Sequence, residues 1–180
     1  MRIVAGELGG RTLQAPRGDA VRPTTDRVRE ALFSIIGDVG GLDVLDLFSG
    51  TGALGLEALS RGAAAVTLVD SDIAPARGNA EALGVADRVQ LVNADVLAFL
   101  CRDERSYDLV LLDPPYRLAR SVAPQLTGLL RPRLRDGARV VAESAADEPA
   151  GLGEDLLPLR DERRYGSTLL RFHEPAGVTS

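Results

Sequence analysis

The chain reads as an α/β protein built on a mostly parallel sheet with helices on both faces. Three observations carry that reading. Five short apolar segments recur between residues 42 and 144. Most are followed by a stretch with helical spacing, the pattern of a buried parallel sheet. A glycine-rich loop joins the first segment to its helix, where such sheets bind ligands.

In chain order, RIVAG and RTLQA predict two short strands joined by a glycine-rich turn. Pro23 precedes Thr24 and Thr25, either of which can cap a helix. Val28, Ala31, Leu32, Ile35 and Ile36 then line one helical face, which Gly37 to Gly41 terminate. LDVLDL is the first core strand, with a helix from about Thr51 to Ser60. AAVTLVD and IAPARGNAEAL give a second strand and helix, and RVQLVNAD a third strand with a short helix behind it. YDLVLLD is the most apolar strand, and 118–131 the helix after it, with Pro124 near an early turn or kink. ARVVAES is the fifth strand. LLPLRDE and RYGSTLLRFHE form an antiparallel hairpin at the end of the sheet. Residues 1–180 are therefore one domain, with a hairpin-and-helix extension over 1–41 and the core over 42–180.

Composition excludes several classes. Of the 180 residues, 45% are hydrophobic and 26% charged, enough for a packed core. No stretch approaches the roughly 20 apolar residues of a membrane helix. MRIVAGELGG lacks a secretory h-region, so a cytoplasmic protein is expected. One cysteine, Cys101, and one histidine, His173, argue against disulfides and against a Cys/His metal centre. The net charge of −5 excludes a histone-like binder. All 21 basic residues are arginine, however, and six fall within residues 1–30. Arg131, Arg133, Arg135 and Arg139 form a second basic group. Arginine forks suit phosphate, although scattered solvated charge explains such groups equally.

Gly50-Thr51-Gly52-Ala53-Leu54-Gly55 matches G-x-G-x-x-G between a strand and a helix. Gly50 and Gly52 permit a tight turn and close ligand approach, and Gly55 close helix–strand packing. Asp70 ends the next strand, 20 residues after Gly50, where a carboxylate can accept both hydroxyls of a ribose. Asp46 precedes the loop and would repel a pyrophosphate at the helix N-terminus. It can instead hold an ammonium, and Asp95, at the end of the third strand, can accept from an adenine amine. Adenine, ribose and an ammonium without phosphate describe S-adenosylmethionine. Helix capping is the competing role for Asp46 and Asp95. Phe48, Ser71 and Val96 complete the candidate cofactor set as chain neighbours.

Asp113-Pro114-Pro115-Tyr116 follows the fourth strand. Two prolines fix φ and remove two donors, leaving the Asp113 carboxylate and the Pro114 carbonyl as rigid acceptors. Tyr116 adds a ring on which a base can stack. Acceptors and a ring suit an amino group on a planar heterocycle. An ordinary strand-ending turn is the competing explanation, and D-P-P-Y directly after LVLL makes it the weaker one.

These motifs resemble class I methyltransferases acting on exocyclic amines. RIVAGELGGRTLQAP, RPTTDRVREALFSII, DLFSGTGALGLEALSRGA and RYGSTLLRF are similar to the RsmD family of 16S rRNA guanine-N2 methyltransferases. The resemblance covers essentially the whole chain. It implies a Rossmann-like fold, S-adenosylmethionine as methyl donor, and 16S rRNA or a small-subunit assembly intermediate as partner. By the same resemblance Asp46, Gly50, Gly52, Asp70 and Asp95 line the cofactor pocket, and Asp113, Pro114 and Tyr116 hold the guanine. The RPTT segment would lie near the active site, placing Arg22, Thr24 and Arg27 there. Arg2, Arg11 and Arg17 are further candidates for RNA contact, together with the group around Arg131–Arg139. A monomer without metal or membrane contact is expected. Rival readings are adenine-N6 methylation of DNA, a nicotinamide dehydrogenase suggested by the glycine loop alone, and a non-catalytic ribosome-assembly factor.

Overall fold

The computed structural model describes residues 1–15, 25–114, 116–149 and 152–175, the side chains of 116–121 excepted. Helix α1 spans Asp26–Ile36, α2 Ala53–Ser60, α3 Ala74–Leu83, α4 Val96–Arg102 and α5 Tyr116–Leu130. Strands are β1 (Asp43–Leu47), β2 (Ala65–Asp70), β3 (Val89–Asn93), β4 (Tyr107–Leu112), β5 (Leu134–Ala145), β6 (Leu159–Tyr165) and β7 (Thr168–His173). They form one sheet in the order β3-β2-β1-β4-β5-β7-β6. β1 to β5 are parallel, and β7 and β6 close one edge antiparallel. The order reverses between β1 and β4, so the carboxyl ends of these two strands flank the crevice where doubly wound sheets bind ligands.

Two apolar layers cover the sheet. Val44, Leu68, Leu109, Leu111 and Val141 face α1, α2 and α3. Leu45, Leu47, Val69, Val110, Leu112 and Ala142 face α4 and α5. This alternation follows from the two-residue period of a strand and fixes where each polar residue at a strand end emerges. Gly55 sits where α2 crosses β2: a Cβ there would meet Leu68 at 2.3 Å. Thr25 caps α1 by accepting from the Val28 amide, and Gly37 ends that helix at φ 78°. Among the described residues no helix is long and apolar enough to cross a membrane.

The expected N-terminal strands are reduced to a single antiparallel bridge, Arg2 with Thr12. The amides that would extend the ladder are taken by α2 instead. Val4 and Ala5 donate to the Glu57 carboxylate at 2.7 and 3.0 Å, and Leu8 donates to Ser60 Oγ at 3.0 Å. Gly6 makes this approach possible, because a Cβ there would lie 1.8 Å from the Ser60 carbonyl oxygen. The third strand also ends earlier than expected, at Asn93, leaving Asp95 outside the sheet as the N-cap of α4. The helix expected over 118–131 spans Tyr116–Leu130 and contains Pro124.

Candidate active site

Four parallel strands end on one side of the sheet, and each end carries a carboxylate or its close neighbour. Asp46, on β1, is buried, 1% exposed. Its Oδ2 accepts from the Gly55 amide at 2.9 Å, while Oδ1 is buried with no hydrogen-bond partner among the described residues. Gly55 is the third residue of α2, so Asp46 satisfies an orphan amide of the helix's first turn from a neighbouring strand. The capping role and the binding role are thus divided between the two oxygens. Burial raises the Asp46 pKa to about 7, opposed by the Gly55 amide and reinforced by repulsion from Asp70.

The glycine loop is held from β2. Asp70 Oδ2 accepts from the Gly50 amide at 2.8 Å, and Oδ1 accepts from the Asp72 amide at 2.9 Å. Ser71 Oγ lies 3.5 Å from the same Oδ1. A carboxylate offers about four lone-pair sites, so these contacts leave room for hydroxyl donors. Gly50 and Gly52 adopt φ of 51° and 74°, and Phe48, at φ 59°, is the one non-glycine residue with positive φ among those described. That is the strained conformation commonly found where a loop is shaped for a ligand. The Phe48 ring itself packs against the α4–α5 core.

Asp95 is exposed, and its Oδ1 accepts from the Ala98 amide at 2.9 Å. Its capping role is therefore real, and one oxygen carries it. Val96 is the buried first residue of α4, whose amide belongs to the unpaired first turn. Ala94 donates to the Asp70 carbonyl at 3.0 Å, which ties the β3 end to the β2 end.

Asp113 follows β4, its amide 3.4 Å from the Leu47 carbonyl oxygen of β1. Burial lifts its carboxyl well above the usual carboxylate range, and the charges of Glu143 and Asp46 push it further. Pro114 is buried beside it. Tyr116 opens α5, its side chain outside the described set, and Pro115 also lies outside the described residues.

The structure thus brings Asp46, Phe48, Gly50, Gly52, Asp70, Ser71, Asp95, Val96, Asp113 and Pro114 to one end of the sheet. The arginines divide differently. Arg17, Arg22 and Thr24 lie outside the described residues. Arg27 is exposed on α1, and Arg2 pairs with Asp26 at 3.5 Å. Arg11 donates to the Ala82 carbonyl at 3.1 Å, at the end of α3 remote from the strand ends. The second basic group departs from expectation. Arg135 is held by Asp43 and Asp108, at the amino ends of β1 and β4, and Arg133 donates to the Asp103 and Leu129 carbonyls. Arg139 donates to the Ile36 carbonyl. These forks join elements at the end of the sheet opposite the carboxylates.

Four residues escaped the sequence reading. Glu143, in the apolar run of β5, is buried level with Asp113. Asn79 accepts from the Gln14 amide at 2.7 Å and donates to the Thr51 carbonyl at 3.0 Å, joining the N-terminal extension to the glycine loop. Glu57 and Arg29, both fully buried, approach to 3.5 Å beneath that extension. Each stands as a lone polar residue on an otherwise apolar face, and that was the available signal. His173 is buried with Nδ1 2.9 Å from the Leu157 carbonyl oxygen.

The comparisons agree with this geometry. The family model described as conserved hypothetical protein 95 matches residues 1–174. Ribosomal RNA small subunit methyltransferase D of Escherichia coli K12 is 38% identical over 179 residues, covering 97% of this chain and 89% of that protein. The Bacillus subtilis protein YlbH is 39% identical over 187 residues, covering 98% of this chain and 100% of YlbH. The solved structure of Escherichia coli yhhF superposes with a TM-score of 0.82 at 32% identity, over 97% of each chain. The chain belongs to the conserved hypothetical protein 95 family, the RsmD family of ribosomal RNA small-subunit methyltransferases, and has their class I methyltransferase fold.

Proposed function

We propose that this protein transfers a methyl group from S-adenosylmethionine to the exocyclic N2 amine of a guanine in 16S rRNA, in the free RNA or in an assembling small subunit. The observation that carries this reading is the buried, unpartnered Oδ1 of Asp46 beside the glycine loop. A buried acceptor without a donor is costly unless a ligand supplies one. An ammonium does so, and a phosphate does not.

S-adenosylmethionine supplies the methyl as a sulfonium with a good leaving group. The chain's own residues bind and orient. Asp46 holds the ammonium, Asp70 accepts the ribose hydroxyls, and Asp95 accepts the adenine amine through the oxygen not occupied by its cap. At β4, Asp113 and the Pro114 carbonyl accept the two hydrogens of the guanine amine. That turns the nitrogen lone pair, otherwise delocalised into the ring, toward the methyl. Asp113 or water would take the amine proton once the nitrogen becomes cationic on receiving the methyl. Positioning and exclusion of water do most of the catalytic work. The guanine must leave its stack to reach Asp113, and RNA loops allow this at low cost.

Calorimetry with S-adenosylhomocysteine and NADH side by side tests the cofactor. Binding of the first and not the second is expected. NADH binding alone would return the glycine loop to the dehydrogenase reading.

A further inference from the structure

We propose that Glu143 reads the target base as guanine by accepting its N1–H, while Asp113 accepts from the neighbouring N2 amine. This rests on the guanine-N2 reading above and deepens it. Ala142 of β5 pairs with Leu112 of β4, so the next residues, Glu143 and Asp113, stand level on adjacent strands. Such strands lie about 4.8 Å apart. Side-chain alternation places both on the same face. Leu111 and Val141 precede them by two residues and belong to the α1–α2–α3 layer, as does the face from which Asp46 reaches Gly55. The charge of Glu143 is felt directly at the Asp113 carboxyl.

Glu143 is 7% exposed in a strand whose preceding residues are Val140, Val141 and Ala142. Two like charges side by side disfavour each other. Two adjacent donors between them relieve that repulsion. Guanine presents such a pair along its pairing edge, N1–H beside the N2 amine. Adenine and cytosine each set an acceptor beside their amine, and uracil has one donor flanked by acceptors. With two donors bound between them the carboxylates accept only, so the pair matches guanine and repels the ring nitrogen of adenine. The DPPY tetrapeptide holds the amine, and Glu143 supplies the discrimination that the tetrapeptide lacks.

The test uses RNA in which the methylated guanine has been mapped and replaced by 2-aminopurine. That base keeps the N2 amine but presents N1 as an acceptor. Wild-type protein is expected to favour guanine by about 100-fold or more in kcat/KM, the scale on which a polar site rejects a mismatched partner. Glu143→Gln, whose amide can donate to N1, is expected to bring that ratio to within about tenfold of unity. Its affinity for S-adenosylhomocysteine should remain within about twofold. Equal losses on both RNAs with an unchanged ratio would reduce Glu143 to a structural role and overturn the proposal. So would a wild-type protein that methylates both bases alike, a result that needs no variant. A wild-type protein that labels no guanine at all would instead refute the activity on which the proposal rests.

Discussion

Asp46 and Gly55 tie β1 to the first turn of α2: one carboxylate oxygen accepts from the helix amide at 2.9 Å, and the other lies buried beside it without a partner among the described residues. The carboxyl is raised to about 7, first by burial and then by Asp70. The folded protein therefore binds a proton there between about pH 4 and pH 7 that the unfolded chain releases. Stability from this group is greatest below pH 4 and is lost as pH rises through 7. Asp46→Asn, which can still accept from Gly55, should be more stable than wild type at pH 8 by up to about 4 kcal/mol. The two should converge near pH 4. Melting temperatures across that range check it, and parallel curves would contradict it. The same variant should bind S-adenosylhomocysteine about 10 to 100-fold more weakly, as expected for loss of a charged hydrogen bond.

Binding should also release protons. A cation placed beside Asp46 and Asp113 lowers the pKa values that burial and neighbouring charges have raised. The binding enthalpy of S-adenosylmethionine at pH 7 should therefore vary with the ionisation enthalpy of the buffer. Buffer-independent enthalpies would mean that these carboxyls do not meet the ligand's charge.

Substrate and cofactor functions should separate by residue. Asp113→Ala should lose most methyl transfer with little change in cofactor affinity. Asp70→Ala, which removes the carboxylate holding Gly50, should weaken cofactor binding. Titration and single-turnover assays on both variants check this, and the reverse pattern would contradict the assignment.

The N-terminal extension is anchored by a buried carboxylate. Glu57→Ala removes the acceptor of the Val4 and Ala5 amides and leaves the buried Arg29 with Asp26 but without its buried carboxylate neighbour. A loss of about 3–5 kcal/mol is expected in urea unfolding. A loss below 1 kcal/mol would show that the extension is held elsewhere.

The sheet and its glycine loop were legible because their signals are contiguous. Apolar runs mark the strands, and Gly50, Gly52 and Gly55 mark the loop within six positions. Asp70 was legible from its spacing to Gly50. Glu143, Asn79 and Glu57 were not, because their roles arise across the fold. Glu143 meets Asp113 only through the β4–β5 register, and Asn79 meets Thr51 and Gln14 only once α3 packs. The N-terminal strands were over-read for the same reason. Their alternating pattern is local, but the acceptors that claim their amides sit on α2. Arginine clustering in sequence was equally uninformative for Arg133, Arg135 and Arg139, whose forks tie the amino end of the sheet together.

RNA contact should therefore follow unengaged forks rather than clustering. Arg27→Ala, exposed in the first turn of α1, should lower the salt dependence of RNA binding by roughly one phosphate contact, whereas Arg135→Ala, whose fork is held by Asp43 and Asp108, should leave it unchanged. A lowered slope in the Arg135 variant would place RNA at the amino end of the sheet.

The central claim is methyl transfer to a guanine amine held at Asp113. Small-subunit RNA lacking the modification, incubated with the protein and methyl-labelled S-adenosylmethionine, then digested to nucleosides, tests it most directly. The account predicts label in N2-methylguanosine with wild-type protein and its loss with Asp113→Ala. Label in a methylated adenosine, or equal N2-methylguanosine from both proteins, would contradict it.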